Sequence, residues 1–295
     1  MLNTTDNMLI ERGLQVAESR IFRQNKIWAR HADEKPDVAA SLMRTIRELH
    51  RRLPPDRDLS ALSIGSGDEP QFRLLEATFQ NGLCLYDLDA AALAVVRERI
   101  ERQMIERVTL AQGDFNNDFR DADAAELALA AKLGGRRFDL LTLHHCLYYS
   151  DASNWPGLIS ALYESVLAPS GAMHMAMMSA REDREGTTTW LYNHFTEKFF
   201  GSGTNQDLLL LEDDLAAHPS FKNAQILSES SEVRFWVDNF ERYMAVVWMI
   251  MLYPDGHRYT VDQRVEIIEF VIQRFWRPRR PLVQVQDYLT VFKAT

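Results

Sequence analysis

One stretch limits what this chain can fold into more than any other. Leu59-Ser60-Ala61-Leu62-Ser63-Ile64 leads directly into Gly65-Ser66-Gly67-Asp68-Glu69-Pro70. An apolar run of strand length gives way to a glycine turn, and Pro70 stands where a helix can open, since a missing N–H and a fixed φ cost nothing there. The same alternation then recurs along the 295-residue chain. Strands are expected at 59–64, 83–87, 107–111, 138–143, 172–177 and 225–230, with helices at 70–80, 89–104, 121–133, 153–167 and 206–217. Asp89 is placed as the N-cap of the second helix. Short strands separated by helices imply parallel pairing, because a parallel neighbour is reached only through a crossover. Leu282 to Phe292 is a last β-rich run that would complete the sheet. The expected class is α/β, a seven-stranded Rossmann-like sheet with N-terminal helices and a helical insertion before the last strand.

Gly65 and Gly67 permit backbone angles closed to other residues and let a ligand approach the main chain. Asp87 lies 20 residues after Gly67 and ends the next apolar run, the spacing at which nucleoside sites place a carboxylate for ribose hydroxyls. A dinucleotide fingerprint wants a third glycine three residues after the second, and here that position is Pro70. Asp68 and Glu69 add negative charge where a pyrophosphate would lie, which is repulsive. S-Adenosylmethionine is a sulfonium cation with an ammonium group and no phosphate, and an acidic loop suits it.

The flanks are helical in pattern. Residues 1–58 carry apolar positions at helical spacing up to the Pro54-Pro55-Asp56 break. They suit either packing on the sheet edge or a polar lid built from Gln15, Glu18, Gln24, Asn25 and Trp28. Residues 179–204 read as a polar, glycine-punctuated tract containing Trp190, and 235–277 as two long helices around Pro254-Asp255-Gly256. The expected division is a helical cover at 1–58, a donor-binding core at 59–234, a substrate-cover insertion at 235–281 and a terminal strand at 282–295. Net charge is −9, which disfavours nucleic acid and anionic membrane as partners and leaves a small molecule. The longest apolar run, Tyr243 to Tyr253, has 11 residues, too few to span a bilayer. No signal-peptide pattern precedes it, and Cys84 and Cys146 fall in apolar runs that suggest buried free thiols. The expectation is a soluble cytoplasmic protein.

Two further segments carry chemistry. After the third strand, Gly113-Asp114-Phe115 could offer an acid to an adenine amine and an aromatic to its face. The same residues also make an ordinary turn aspartate beside a core phenylalanine. The fourth strand runs into His144-His145-Cys146-Leu147-Tyr148-Tyr149, at the carboxyl end where open α/β sheets bind ligands. Adjacent strand residues point to opposite faces, so the two histidines are not expected to share a metal, and no metal is expected elsewhere. His145 could act as a general base or could be a satisfied, partly buried imidazole.

In this order of parts the chain resembles the class I S-adenosylmethionine-dependent methyltransferases, and more narrowly the histamine N-methyltransferase type. The stretches that carry the resemblance are Leu62-Ser63-Ile64-Gly65-Ser66-Gly67, Leu147-Tyr148-Tyr149, the tract with Trp190, and Gln286-Asp287-Tyr288-Leu289-Thr290-Val291. The resemblance implies donor contacts from Gly65, Ser66, Gly67, Asp87, Leu88, Asp114, Phe115 and His144, although that type carries glutamate where Asp87 stands. It implies a substrate site bounded by Tyr148, Tyr149, Trp190 and Asp287, with His145, Tyr148 and Asp287 nearest the chemistry. Asp287 replaces an amide at the start of the last strand. The family's N-terminal aromatic and acidic substrate contacts have no counterpart around Gln15, which implies a substrate other than histamine.

Methyl transfer from a sulfonium is an in-line displacement that needs alignment and exclusion of water more than covalent help. An amine must be neutral to react and benefits from a base, His145 or Asp287; a thioether needs none. The expected function is transfer of a methyl group to nitrogen or sulfur of a small polar amine or amino acid. An S-methyltransferase acting on methionine or a similar amino acid is the alternative, with Arg234 or Arg258 for the substrate carboxylate. A non-catalytic donor-binding module is the reading from another class. A nucleic-acid methyltransferase is opposed by the net charge and by Leu143-His144-His145-Cys146 in place of an Asn/Asp-Pro-Pro-aromatic run.

Overall fold

A computed structural model of the protein describes residues 4–17, 21–252 and 259–294. Glu18, Tyr253, the Pro254-Asp255-Gly256 break and Arg258 lie outside the described residues. The leader is three helices, α1 (Thr4–Ala17), α2 (Ile21–His31) and α3 (Glu34–Arg52). The alternating part follows as β1 (Ala61–Ile64), α4 (Phe72–Thr78), β2 (Leu83–Asp87), α5 (Ala90–Gln103), β3 (Val108–Gln112), α6 (Phe115–Asp118), α7 (Ala122–Lys132), β4 (Phe138–His144), α8 (Trp155–Ala161) and β5 (Leu167–Met178). Then come α9 (Thr188–Phe200), α10 (Leu208–Ala217), β6 (Gln225–Phe235), α11 (Phe240–Met251), α12 (Val261–Val271) and β7 (Leu282–Phe292).

The strands form one seven-stranded sheet in the order β3-β2-β1-β4-β5-β7-β6. The pairs from β3 through to β5 are parallel. β7 runs against β5, since Ser179 N donates to Val285 O (2.8 Å) and Lys293 N to Gly171 O (2.9 Å). That register sets Thr290 opposite His174. The sheet is the seven-stranded α/β arrangement expected from the alternating pattern.

Several boundaries move. Pro70 does not open α4: it sits in the preceding turn, and the helix begins at Phe72 after Gln71. Glu69 at φ 49° reverses the chain there, its N–H donating to Ser66 O at 2.7 Å, and the helix cannot start until that turn has closed. β5 starts at Leu167 rather than 172, because the helix before it ends in a widened turn at Leu162–Val166 and passes straight into strand. Ser170 at φ 62° then absorbs the register shift against β4. β6 continues past 230 to Phe235. The tract at 179–204 contains a helix, α9, opened by Thr187 accepting from Trp190 N (3.3 Å) and closed by Gly201 at φ 75°.

The chain groups into two compact units. The sheet unit comprises 38–177, 206–230 and 287–295; the helical unit comprises 1–37, 178–205 and 231–286. The expected segments are cut differently, with 38–58 in the sheet unit and 178–205 in the helical one. Strand alternation gives the sheet unit two cores. Leu62, Leu141, Met173 and Leu289 pack with Trp155, Leu158 and Phe221, while Ala61, Leu140, Ala172 and Phe292 pack under Leu42, Ile46 and Leu49 of α3. Each such leucine contributes about 1.5–3 kcal/mol by leaving water. In the helical unit Tyr243, Trp248, Ile268 and Phe275 form a third core, and Trp248 Nε1 donates to Gly13 O at 2.9 Å. Cys84 and Cys146 are buried free thiols, as expected.

Candidate active site

The strand order reverses between β1 and β4, where an open α/β sheet leaves a crevice beyond its carboxyl ends. The turn after β1 is shaped by its two glycines. Gly65 has φ +63°, and a Cβ there would collide with Cys146 Cβ and lie 3.1 Å from its sulfur. Gly67 has φ +54°, and a Cβ there would meet nothing within 4 Å, so the backbone faces open space. Asp87 fastens this loop, its Oδ2 accepting from Gly67 N (2.7 Å) and its Oδ1 from Asp89 N (2.8 Å). Ser66 N donates to Tyr86 O at 3.2 Å. The buried Ser66 Oγ has no hydrogen-bond partner among the described residues. Glu69 turns inward instead of toward the open side: its carboxylate accepts from Ser63 Oγ and from Gln71 N, and burial raises its pKa. That leaves Asp68 and Asp87 as the half-buried acids of the loop, with Glu69 buried beneath them.

At the neighbouring strand ends, Leu88 is exposed and its carbonyl accepts from Gln112 Nε2 (3.3 Å). Asp114 is the N-cap of α6, accepting from Asn116 N (3.0 Å) and Asn117 Nδ2 (2.7 Å). Phe115 is buried in the sheet core, which favours the turn-and-core reading of this pair. Asn116, which the sequence did not single out, ties α6 to the β4 loop by donating to Tyr149 O at 2.9 Å.

Beyond β4, His145 takes a left-handed φ of 51°, its N–H donating to Ala176 O (2.8 Å). That twist brings its Nδ1 to 3.4 Å from Tyr148 Oη, with the two rings stacked. Gln206, also unforeseen, holds this turn by donating to Tyr148 O (3.0 Å) and Ser150 O (3.2 Å). Tyr149 is exposed. His144, half-buried at the end of β4, places Nε2 2.8 Å from Nδ1 of His174 on β5. His174 Nε2 in turn lies 2.9 Å from Ser41 Oγ on α3, which donates to Glu229 on β6, and Glu229 is paired with Arg44. Burial depresses the imidazole of His174 to about 4, Glu229 opposing, and burial with His174 beside it holds His144 well below the usual range.

Asp287 is buried in the middle of β7 rather than at its start. Its Oδ1 accepts from Ser230 Oγ (2.6 Å), and its Oδ2 has no hydrogen-bond partner among the described residues. Alternation along β7 sets it on the face opposite Tyr288, whose ring packs 5.7 Å from His174, so Asp287 and His144 are not brought to one face. Trp190 belongs to the helical unit, stacked on His194 at 4.9 Å and packed against Phe270. Among the described residues no three His, Cys, Asp or Glu side chains converge as a metal site, and no helix is long and apolar enough to cross a membrane.

No protein-family model matches the chain, and no curated protein matches it in sequence. Solved structures do match its fold. The YcgJ protein of Bacillus subtilis aligns with a TM-score of 0.53 and 13% identity, over 86% of this chain and 99% of its own. A Bacillus halodurans C-125 protein provisionally assigned as a methyltransferase aligns with a TM-score of 0.53 and 15% identity, over 85% and 99%. At these identities the likeness establishes the fold: a Rossmann-like seven-stranded sheet of the kind found in methyltransferase structures.

Proposed function

We propose that this protein is an S-adenosylmethionine-dependent methyltransferase acting on nitrogen or sulfur of a small polar metabolite, an amine or amino acid. The observation that carries the reading is Gly67, left-handed, open on its outer side and pinned by Asp87 at the point where the strand order reverses. The residues present fit such a donor. A carboxylate stands at the end of β2, the unpartnered Ser66 Oγ awaits a polar contact, and Asp68 and Asp87 repel phosphate while attracting a cation. Gly65, Ser66, Gly67 and Asp87 would hold it, with Leu88 and the Asp114 cap bordering the nucleoside. When bound, S-adenosylmethionine supplies an electrophilic methyl group. The chain's own contribution is then orientation and dryness: Tyr148, braced by His145 and by Gln206 on its carbonyl, bounds the acceptor side with Tyr149.

Calorimetry with S-adenosylhomocysteine and, separately, NAD tests this reading. The first should bind and the second should not. Asp87→Ala should weaken binding by about 1–3 kcal/mol through loss of charge-assisted hydrogen bonds. Uptake of NAD without S-adenosylhomocysteine would overturn the assignment. Labelled-methyl transfer to a panel of amines, amino acids and thioethers would then identify the acceptor atom.

A further inference from the structure

The polar chain under α3 has a direction, and the direction follows from its ends. Glu229 is anchored by Arg44; burial works against its charge, but hydrogen bonds from Ser41 and Arg44 keep it ionised. An ionised carboxylate only accepts, so the Ser41 hydroxyl proton points at Glu229. Ser41 Oγ must then accept from His174, which places the proton of that imidazole on Nε2. His174 is neutral at pH 7, so its Nδ1 is bare and accepts from His144 Nε2–H across 2.8 Å. His144 is likewise neutral, and its remaining nitrogen, Nδ1, has a lone pair and no proton. The pairing of Ile64 with Leu143 sets the backbone of His144 next in line, at the carboxyl end of β4 where the crevice opens.

We infer that Arg44, Glu229, Ser41 and His174 fix His144 as the Nε2–H tautomer, so that its Nδ1 serves as a hydrogen-bond acceptor selecting a ligand with an N–H donor at the β1/β4 crevice. His144 is thus a specificity-determining residue, and the other four are positioning residues acting through it. The tautomer stands independently of the proposed donor site; the ligand half rests on that site. An amine could come from the amino-acid end of the donor or from the methyl acceptor, and the chemistry Nδ1 reads is the same in both.

Nitrogen-15 NMR of the labelled protein at pH 7 tests the tautomer without ligand. Wild type should show His144 with a bare Nδ1 and a protonated Nε2. In Glu229→Leu the acceptor is gone, so the Ser41 hydroxyl is free to donate to His174 and His144 should become a mixture of tautomers. Glu229→Gln and Glu229→Asp should keep the wild-type pattern, since a carbonyl or carboxylate oxygen still accepts from both Ser41 and Arg44. A Nδ1–H tautomer in wild type, or an unchanged tautomer in Glu229→Leu, would overturn the inference. Should Glu229→Leu not fold, Ser41→Ala serves: His144 should become a mixture of tautomers, and a single unchanged one is fatal. For the ligand half, the His144 Nδ1 resonance is followed with S-adenosylhomocysteine, with 5′-methylthioadenosine, which lacks the amino-acid end, and with methylamine added to the S-adenosylhomocysteine complex. A shift with the first but not the second assigns the donor's amine. A shift only with methylamine assigns the acceptor's, and no shift with any refutes the ligand half. If the donor's amine is the source, His144→Phe should weaken S-adenosylhomocysteine about tenfold and leave 5′-methylthioadenosine unchanged. Failure of S-adenosylhomocysteine to bind wild type in calorimetry removes the ligand half together with the donor site, and the tautomer still stands or falls on Glu229→Leu.

Discussion

At Gly65 two constraints coincide: a left-handed backbone and a Cys146 side chain directly above the missing Cβ. Gly65→Ala should therefore destabilise the protein by about 2–4 kcal/mol, overpacking adding about 1–3 to a left-handed penalty of about 1. Urea unfolding measures it, and Cys146→Gly in the same chain should recover part of the loss; a change under about 1 kcal/mol would mean the loop simply moves aside. The glycine and Asp87 were legible because their spacing is local and has a stereochemical reason. Cys146 as the lid over Gly65 was not, since no pattern links 65 to 146. The same holds for the polar chain: Ser41, His174 and Glu229 come from a helix and two strands and meet only through the sheet register. A histidine in the apolar run Met173–Met175 was the one available signal. Glu69 misled, because its charge was read as facing a ligand while its side chain satisfies Ser63 and Gln71 indoors.

Elements were most legible where one residue marks the edge. Asp89 was expected to cap α5, and its side chain accepts from Ala91 N at 2.8 Å. Asp89→Ala should lower stability by about 1 kcal/mol in urea unfolding, while Asp89→Ser should be close to neutral; equal losses from both would point to the charge rather than the cap. β2 and β7 begin and end where their apolar runs do. β5 did not: the strand begins at Leu167 and runs through Pro169 and Gly171 around a left-handed Ser170. α9 was hidden for the opposite reason: its polar and aromatic residues give a weak periodic signal, although Thr187 and Gly201 are ordinary helix ends.

For the whole molecule the buried imidazoles set a pH dependence. His174 titrates near 4 when folded and near the ordinary 6.5 when unfolded, and His144 is shifted in the same direction. Above pH 6.5 both states are neutral and neither group contributes a slope. As pH falls from about 6.5 toward 4, the unfolded chain binds protons that the folded chain cannot, and stability drops by about 3 kcal/mol from His174 alone. Glu69 acts oppositely, since its raised folded pKa adds stability as pH falls through it toward the ordinary carboxylate range. Urea unfolding at pH 7.5, 6.0 and 5.0 should show the decline, and His174→Gln should flatten it; a flat wild-type profile would mean the histidines are not buried as neutral groups.

β7 passes through both compact units, residues 282–286 in one and 287–292 in the other, and it lies between β5 and β6 in the sheet. Neither unit is a continuous stretch of chain. During synthesis, then, a nascent polypeptide that has not yet reached β7 holds an unfilled slot between β5 and β6 in its sheet, an interval in which chaperone protection matters.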